Sequence, residues 1–152
     1  MPKTIQDVDW SYIAALIDGE GSLTISKHRT KTGNLTYRAR LTIGMNDPHA
    51  IKFMQELFGG TVRLGKKKIH SITGEEYAPA HIIEYGAYNT LVYILTNVRK
   101  FTKVKTEQVD ALLEFLDLKT VQANNPSKFK RNGYFNNYYV KLKSLKHKYW
   151  IK

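Results

Sequence analysis

The 152-residue chain contains no cysteine. Disulfide scaffolds, Cys-ligated zinc and thiol catalysis are therefore excluded together. It also lacks any run of about 18 apolar residues, so no membrane-spanning helix is expected. The first nine residues include Asp7 and Asp9 and show neither an apolar signal core nor an Arg-rich transit pattern. That points to an intracellular, non-secreted protein. Acids are missing from one part of the chain altogether. Residues 118–152 hold nine Lys/Arg and no Asp or Glu, whereas residues 1–117 hold 15 bases against 13 acids. What is present is an ordinary domain's share of apolar residues, 42%, and a formal charge of +11. A packed core with an anionic partner follows, and nucleic acid is the first candidate. A second basic run lies within 22–70, where ten Lys/Arg face only Asp47 and Glu56. Two separate runs, one in strand-like sequence, favour phosphate binding over a merely solvated face.

Periodicity divides the chain into elements. Asp9 is placed to cap a helix over 10–17, with Ile13, Leu16 and Ile17 on its core face. Tyr12, Ala15 and Gly19 fall on another face, and Gly19 and Gly21 are expected to end the helix. From Ser22 the pattern switches to period two. Leu23 and Ile25 alternate with Thr24, Ser26, His28 and Thr30. After a turn at 32–34, Tyr37, Ala39, Leu41 and Ile43 alternate with Arg38, Arg40 and Thr42. This predicts a long hairpin with one core face and one wet face. The wet face carries Arg, Ser, Thr and His, which suit phosphates and base edges. Asp47-Pro48 opens a short helix to about residue 58. A second hairpin is predicted from strands over 61–69 and 77–85, with Pro79 marking an edge position or a bulge. Helices are expected over 89–101 and from 105 or 106 onward, ended by Asn124-Asn125-Pro126. Turn-prone Asn132-Gly133 and Asn136-Asn137 precede a final basic helix over 138–150. The order α-ββ-α-ββ-α-α describes an α+β domain with two similar halves.

Several motifs carry no chemistry. Residues 60–67, GTVRLGKK, nearly spell a P-loop, but Lys67 stands where a hydroxyl is needed and a helix precedes instead of a strand. No nucleotide cofactor is expected. Asn34-Leu35-Thr36 matches a glycosylation acceptor without any sign of secretion. The five histidines, at 28, 49, 70, 81 and 147, lack metal-site spacing.

The informative segment is IAALIDGEG at 13–21. It is a helix ending in two acids, Asp18 and Glu20, among glycines. Ala15 and Gly19 are four apart, so small side chains share a face and permit close approach of another helix. If that neighbour is the same helix of a second subunit, two-fold symmetry brings two Glu20 carboxylates together. Adjacent carboxylates repel unless cations lie between them, and oxygen-only ligands favour Mg²⁺ over zinc.

This segment resembles the motif of the LAGLIDADG homing endonucleases. Leu16, Ile17, Asp18 and Gly21 are identical to it, with conservative changes at Ile13, Ala15 and Glu20. The element order and the position of the motif in the first helix agree with that family, and the similarity is closest to its single-motif, homodimeric branch. It spans about 10–119. The resemblance implies a LAGLIDADG fold over 1–122, a saddle-shaped antiparallel sheet in an α-ββ-α-ββ-α core, with 123–152 as a basic extension packed on the domain or flanking DNA. Tyr138, Tyr139 and Trp150 of that extension are equally suited to packing.

Roles follow from the resemblance residue by residue. Glu20 looks like the metal-binding acid, with the Gly19 carbonyl beside it, and Asp18 looks structural, bonding backbone amides at the helix end. Asp47 occupies the place of a water-organising residue, where close relatives often have Gln, and is equally suited to a plain N-cap before Pro48. Lys105 resembles the basic residue that completes the pocket, with a solvated lysine as the alternative. Thr24, Ser26, His28, Thr30, Arg38, Arg40, Thr42, Arg63, Lys66, Lys67, Lys68, Tyr77 and His81 would face DNA. Tyr12, Ala15 and Gly19 would form the dimer seam. The implied activity is site-specific, Mg²⁺-dependent hydrolysis of both strands of a long pseudo-palindromic DNA target by a homodimer. Mn²⁺ or Ca²⁺ could replace Mg²⁺ for binding. An intron-encoded protein of a prokaryotic cytoplasm or an organelle would fit. The alternatives are an intron-splicing maturase or a non-cleaving DNA-binding regulator of the same fold, and a structural nucleic-acid-binding protein.

Overall fold

The computed structural model describes residues 4–124 and 133–147. Helix α1 (Asp7–Glu20) begins two residues before Asp9. Gln6 is its N-cap, and Asp9, at the third helical position, accepts the Gln6 backbone N–H at 3.0 Å. Asp9 thus closes the first turn from inside the helix instead of capping it, and the acids Asp7 and Asp9 sit at the positive end of the helix dipole. The helix also continues through Gly19 and ends only at Glu20.

Strands β1 (Gly21–Arg29) and β2 (Leu35–Met45) form the long predicted hairpin, paired antiparallel from Gly21↔Ile43 to Arg29↔Leu35. Helix α2 (Pro48–Phe58) follows, capped by the Asp47 carboxylate, which accepts the His49 N–H at 2.8 Å. Two left-handed glycines, Gly59 (φ 71°) and Gly60 (φ 99°), turn the chain into β3 (Val62–Leu64). A helix before and a strand after this turn are the reverse of a P-loop's surroundings.

The second hairpin is not continuous. β3 pairs with β6 (His81–Tyr85), while β4 (Lys68–Ile69) and β5 (Glu76–Tyr77) form a separate two-stranded ladder at the tip. The break lies at 65–67 and 78–80, and both chemical causes are in the sequence. Pro79 has no N–H to give to a ladder. Gly65 donates instead to the Ala80 carbonyl at 2.8 Å, and its backbone lies against Ile82 and Ala80. The main sheet has the order β1-β2-β6-β3, so the two hairpins lie back to back with β2 and β6 central.

Helix α3 (Tyr88–Val98) stops three residues earlier than predicted, and α4 (Thr106–Asn124) ends where expected. Helix α5 spans Gly133–His147, starting five residues ahead of its predicted place. The turn propensity of Gly133 and of Asn136-Asn137 is overridden by packing. Phe135 is 2% exposed and sits against Phe115 and Tyr37, while Asn136 Oδ1 accepts from the Tyr37 hydroxyl at 3.2 Å and lies 3.4 Å from Lys27 Nζ. Trp150 lies outside the described residues.

One face of the sheet, with Leu23, Ile25, Tyr37, Ala39, Leu41, Ile43, Ile83 and Tyr85, is buried under α1, α2 and α4, and α3 packs on α1 and α4. The Tyr85 hydroxyl reaches the carbonyls of Met54 and Gly59 at 3.1 and 3.2 Å, tying the central strand to the end of α2. Burial raises its pKa far above the usual tyrosine value. The other face is open, and no described helix lies across it. Helix α5 touches side chains of both faces, with Lys146 3.4 Å from Ser22 at one end and Asn136 near Lys27 at the other. It therefore runs antiparallel to β1 along the free edge of the sheet. Ten helical residues rise about 15 Å, close to the roughly 16 Å spanned by five strand residues.

Candidate active site and nucleic-acid interface

The end of α1 is fixed by its crossing with the approach to α4. Asp18 accepts the backbone N–H groups of Lys103 (2.7 Å), Val104 (3.2 Å) and Lys105 (2.9 Å). The amides it bonds belong to the segment leading into α4, not to its own helix. Lys105 answers from the other side. Its ammonium donates to the carbonyls of Ile17 (2.9 Å) and Gly21, acceptors at the junction of the helix C-terminus with β1. Burial is the main influence on Lys105 and lowers its pKa, opposed by the nearby charges of Asp18 and Glu20. Gly21 is required by contact: a Cβ there would lie 2.7 Å from both the Cα and the O of Ile17.

This frame leaves Glu20 outside it. Among the described residues its exposed carboxylate accepts no hydrogen bond and has no base within ion-pair distance, although its charge acts on Lys105. Glu20 and Asp47 border one depression with Gly44, Met45, Asn46 and Ala80. Asp47 is occupied: besides the α2 cap it pairs with His49 Nδ1 at 2.7 Å, and those bonds to His49 hold its carboxyl below the usual range. Asn46 and Ala80 also border a second depression, with Lys66, Lys68, Tyr77 and Ile82. A continuous path thus leads from Glu20 to the tip of the second hairpin.

The open sheet face begins beside Glu20. Register pairs Ser22↔Thr42, Thr24↔Arg40, Ser26↔Arg38 and His28↔Thr36 all point outward. Arg63 lies opposite Ile82 on the same face. Thr30 lies in the hairpin turn, its hydroxyl bonded to Thr32 and to the Asn34 N–H. Lys67 pairs with Glu76 at 3.5 Å.

No family pattern and no curated protein matches the sequence. Solved structures do. The group I intron-encoded homing endonuclease I-CeuI, complexed with DNA, matches with a TM-score of 0.69 at 14% identity, over 92% of this chain and 68% of that one. Homing endonuclease I-CvuI with its target, solved in the presence of calcium, gives 0.67 at 17%, over 91% and 82%. The LAGLIDADG homing endonuclease I-SmaMI bound to cleaved DNA gives 0.56 at 18%, over 80% of this chain but 39% of that one. The chain has the LAGLIDADG homing endonuclease fold.

Seen as a LAGLIDADG helix, α1 presents an outward stripe of Val8 (74% exposed), Tyr12 (46%), Ala15 and Gly19. Open space lies over Gly19. Val8 extends the stripe by one turn and escaped the sequence reading, although its spacing of four from Tyr12 signals it.

The placement of His81 corrects an expectation. It is in phase with Ile83 and Tyr85, so it points to the helix side of the sheet, and its Nδ1 is buried. Counting alternation back from Tyr85 reveals this. Two further residues went unrecognised. Glu84 faces outward in the middle of the sheet, with Arg40 at 2.6 Å. Lys146 of α5 stands beside Ser22 and near Lys105, its pKa lowered by burial first and by the Lys105 charge second. Only the tertiary fold brings Lys146 there.

A divalent cation fits the donors that one chain supplies, but only in part. Glu20 is an exposed carboxylate, unbonded among the described residues, at the negative end of a helix. The Gly19 carbonyl lies in the last turn, where carbonyls lack helical donors. These are hard oxygen ligands of the kind Mg²⁺ takes. Among the described residues no group of three metal-ligating side chains occurs. One chain therefore offers part of a coordination set.

Proposed function

We propose that the chain is one half of a homodimeric, site-specific DNA endonuclease that hydrolyses both strands of a long, pseudo-palindromic duplex with divalent metal. The observation that carries this reading is Glu20: a carboxylate that accepts no hydrogen bond among the described residues, near the Lys105 charge and at the foot of an open cationic sheet face. The resemblance of 13–21 to the LAGLIDADG motif and the fold's likeness to DNA-bound endonucleases support it. The chain spans under half of I-SmaMI.

In this reading the stripe Val8, Tyr12, Ala15 and Gly19 packs against its symmetry copy, and the two Glu20 carboxylates converge at the seam. Glu20 and the Gly19 carbonyl would hold Mg²⁺, which supplies an activated water and charge stabilisation at the scissile phosphate. Lys105 holds the helix end that aims Glu20, and its ammonium offsets negative charge there. Asp47 borders the same depression and can accept a hydrogen bond from water there. Thr24, Ser26, His28, Arg38, Arg40, Thr42 and Arg63 lie in the major groove, which admits a β-ribbon. Lys66, Lys68 and Tyr77 follow the backbone beyond the cut, and Lys143 and Lys146 of α5 add phosphate contacts at the flank.

Replacing Glu20→Gln tests the assignment. Mg²⁺-dependent cleavage of a cognate duplex should fall at least a thousand-fold while affinity stays within a few-fold. Cleavage retained at the wild-type rate would overturn it. Sequence-specific binding without any cleavage by the wild-type protein would favour the regulator, and binding to structured intron RNA alone would favour the maturase.

A further inference from the structure

Glu84 is the only acid in the four-stranded sheet. It lies on the face that would meet a polyanion, where a carboxylate works against binding. Exposed ion pairs contribute little to stability, so folding alone gives weak reason for its presence. Its surroundings are specific. Glu84 Oε1 accepts from Arg40 Nη1 at 2.6 Å, Oε2 accepts from the Thr42 hydroxyl at 3.3 Å, and Arg63 Nη2 stands 3.9 Å from Oε2. Three strands contribute: β6 carries Glu84, β2 carries Arg40 and Thr42, and β3 carries Arg63. The Glu84 and Arg40 side chains are 32% and 37% exposed, so both remain reachable from the open face.

Both partners keep unused capacity. An ionised carboxylate has about four acceptor sites and a guanidinium five N–H donors. The bonds from Arg40 and Thr42 to Glu84 occupy two of the former and one of the latter. The pair therefore presents donors and acceptors side by side in a fixed order. In the major groove a G·C pair displays N7 and O6 acceptors on guanine, then the N4 amino donor on cytosine. Donors from Arg40 meet the guanine, and the adjacent acceptors of Glu84 meet the cytosine amine. The reversed C·G pair shows the opposite order. An A·T pair places the thymine O4 acceptor and methyl group against the carboxylate.

We propose that Arg40 and Glu84 act as one unit that reads a single G·C base pair, in one orientation, in each half of the target. Thr42 holds the carboxylate in place, and two-fold symmetry repeats the contact once per half-site. This rests on the DNA-endonuclease reading above and deepens it by naming a specificity determinant.

Binding selection from randomised duplexes tests it, with wild-type protein, Glu84→Gln, Arg40→Ala and the double variant Arg40→Ala/Glu84→Ala. Wild type should enrich one oriented G·C pair per half-site. Glu84→Gln, which keeps the side-chain shape, should lower discrimination at that pair about tenfold, with the other positions within about twofold. The double variant should discriminate there no worse than Arg40→Ala, as expected for residues acting together. An unchanged profile in Glu84→Gln, or a loss spread evenly over all positions, overturns the proposal while leaving the endonuclease reading intact. Wild-type enrichment without an oriented G·C pair does the same. No enrichment of any sequence by wild type overturns the endonuclease reading itself. Thermal unfolding of Glu84→Gln within a few degrees of wild type confirms that the comparison is between folded proteins.

Discussion

The two hairpins of the sheet do the same topological job with different materials. The first runs unbroken for nine and eleven residues, with strict alternation, and α5 braces its outer edge. The second is cut by Gly65 and Pro79 into the pair of three-residue β3 and five-residue β6 in the main sheet and a two-residue ladder at the tip. Side chains carried on a continuous ladder keep a fixed spacing, as base recognition requires. A tip joined through a Gly/Pro break keeps less register, and it is there that the lysines cluster. Lysine is a flexible point charge suited to phosphate, whereas arginine presents a rigid fork. Arg38 and Arg40 sit in the first hairpin, and Lys66, Lys67 and Lys68 in the second.

Removing the brace should break this contrast most strongly. Phe135 is the buried anchor of α5, packed against Phe115 at 5.5 Å and lying 5.0 Å from Lys119 Nζ. Phe135→Ala should cost about 4 kcal/mol by chemical denaturation, the usual loss for a buried phenylalanine. Limited proteolysis should then cut ahead of or within α5 before any site in the sheet.

A smaller effect separates the hairpins at their glycines. At Gly21 an added methyl meets backbone atoms of Ile17 at 2.7 Å, and backbone in a helix cannot yield. Gly21→Ala should cost about 3 kcal/mol and displace the helix end that aims Glu20. At Gly65 the nearest atom is the tip of the Ile82 side chain at 3.3 Å, which can rotate away. Gly65→Ala should cost less than about 1 kcal/mol. Equal losses would show that the interrupted hairpin is as rigid as the continuous one.

Legibility in the sequence follows the same divide. The first hairpin could be read from Leu23 to Ile43 because a half-buried strand writes its burial as strict alternation. Helix α2 could be read because Asp47-Pro48 and Gly59-Gly60 punctuate it chemically. The second hairpin was located, but not its break, because Pro79 shows that a ladder must fail without showing where pairing resumes. The face of His81, by contrast, is legible by alternation counted back from Tyr85. Helix α5 began earlier than its sequence suggests because Phe135 wins more by burial than Gly133 loses by helix propensity. At the site, Asp18 and Glu20 stood out in the motif, yet the bonds of Asp18 to 103–105 span 85 or more residues of chain. No local pattern encodes a contact of that range. Glu84 and Lys146 were missed for this reason too: each gains its meaning from strands or helices distant in sequence.

The smallest effect concerns salt. If the tip lysines meet phosphates, each contact releases counterions, and the slope of log K against log salt falls by about 0.9 when one is removed. Lys68→Ala should therefore weaken binding to cognate and unrelated duplexes alike and flatten the slope by about one unit. Arg40→Ala, whose charge Glu84 already offsets, should flatten it by less while costing cognate binding selectively. Titrating both variants between 50 and 200 mM salt, roughly the range over which such slopes are resolved, separates the two hairpins by function. If Lys68→Ala proves sequence-selective, or Arg40→Ala flattens the slope as much as Lys68→Ala does, the division into a reading hairpin and a backbone-holding hairpin is wrong. Lys67 gives an internal control. Its pairing with Glu76 offsets its charge, so Lys67→Ala should change the slope least of the three lysines at the tip.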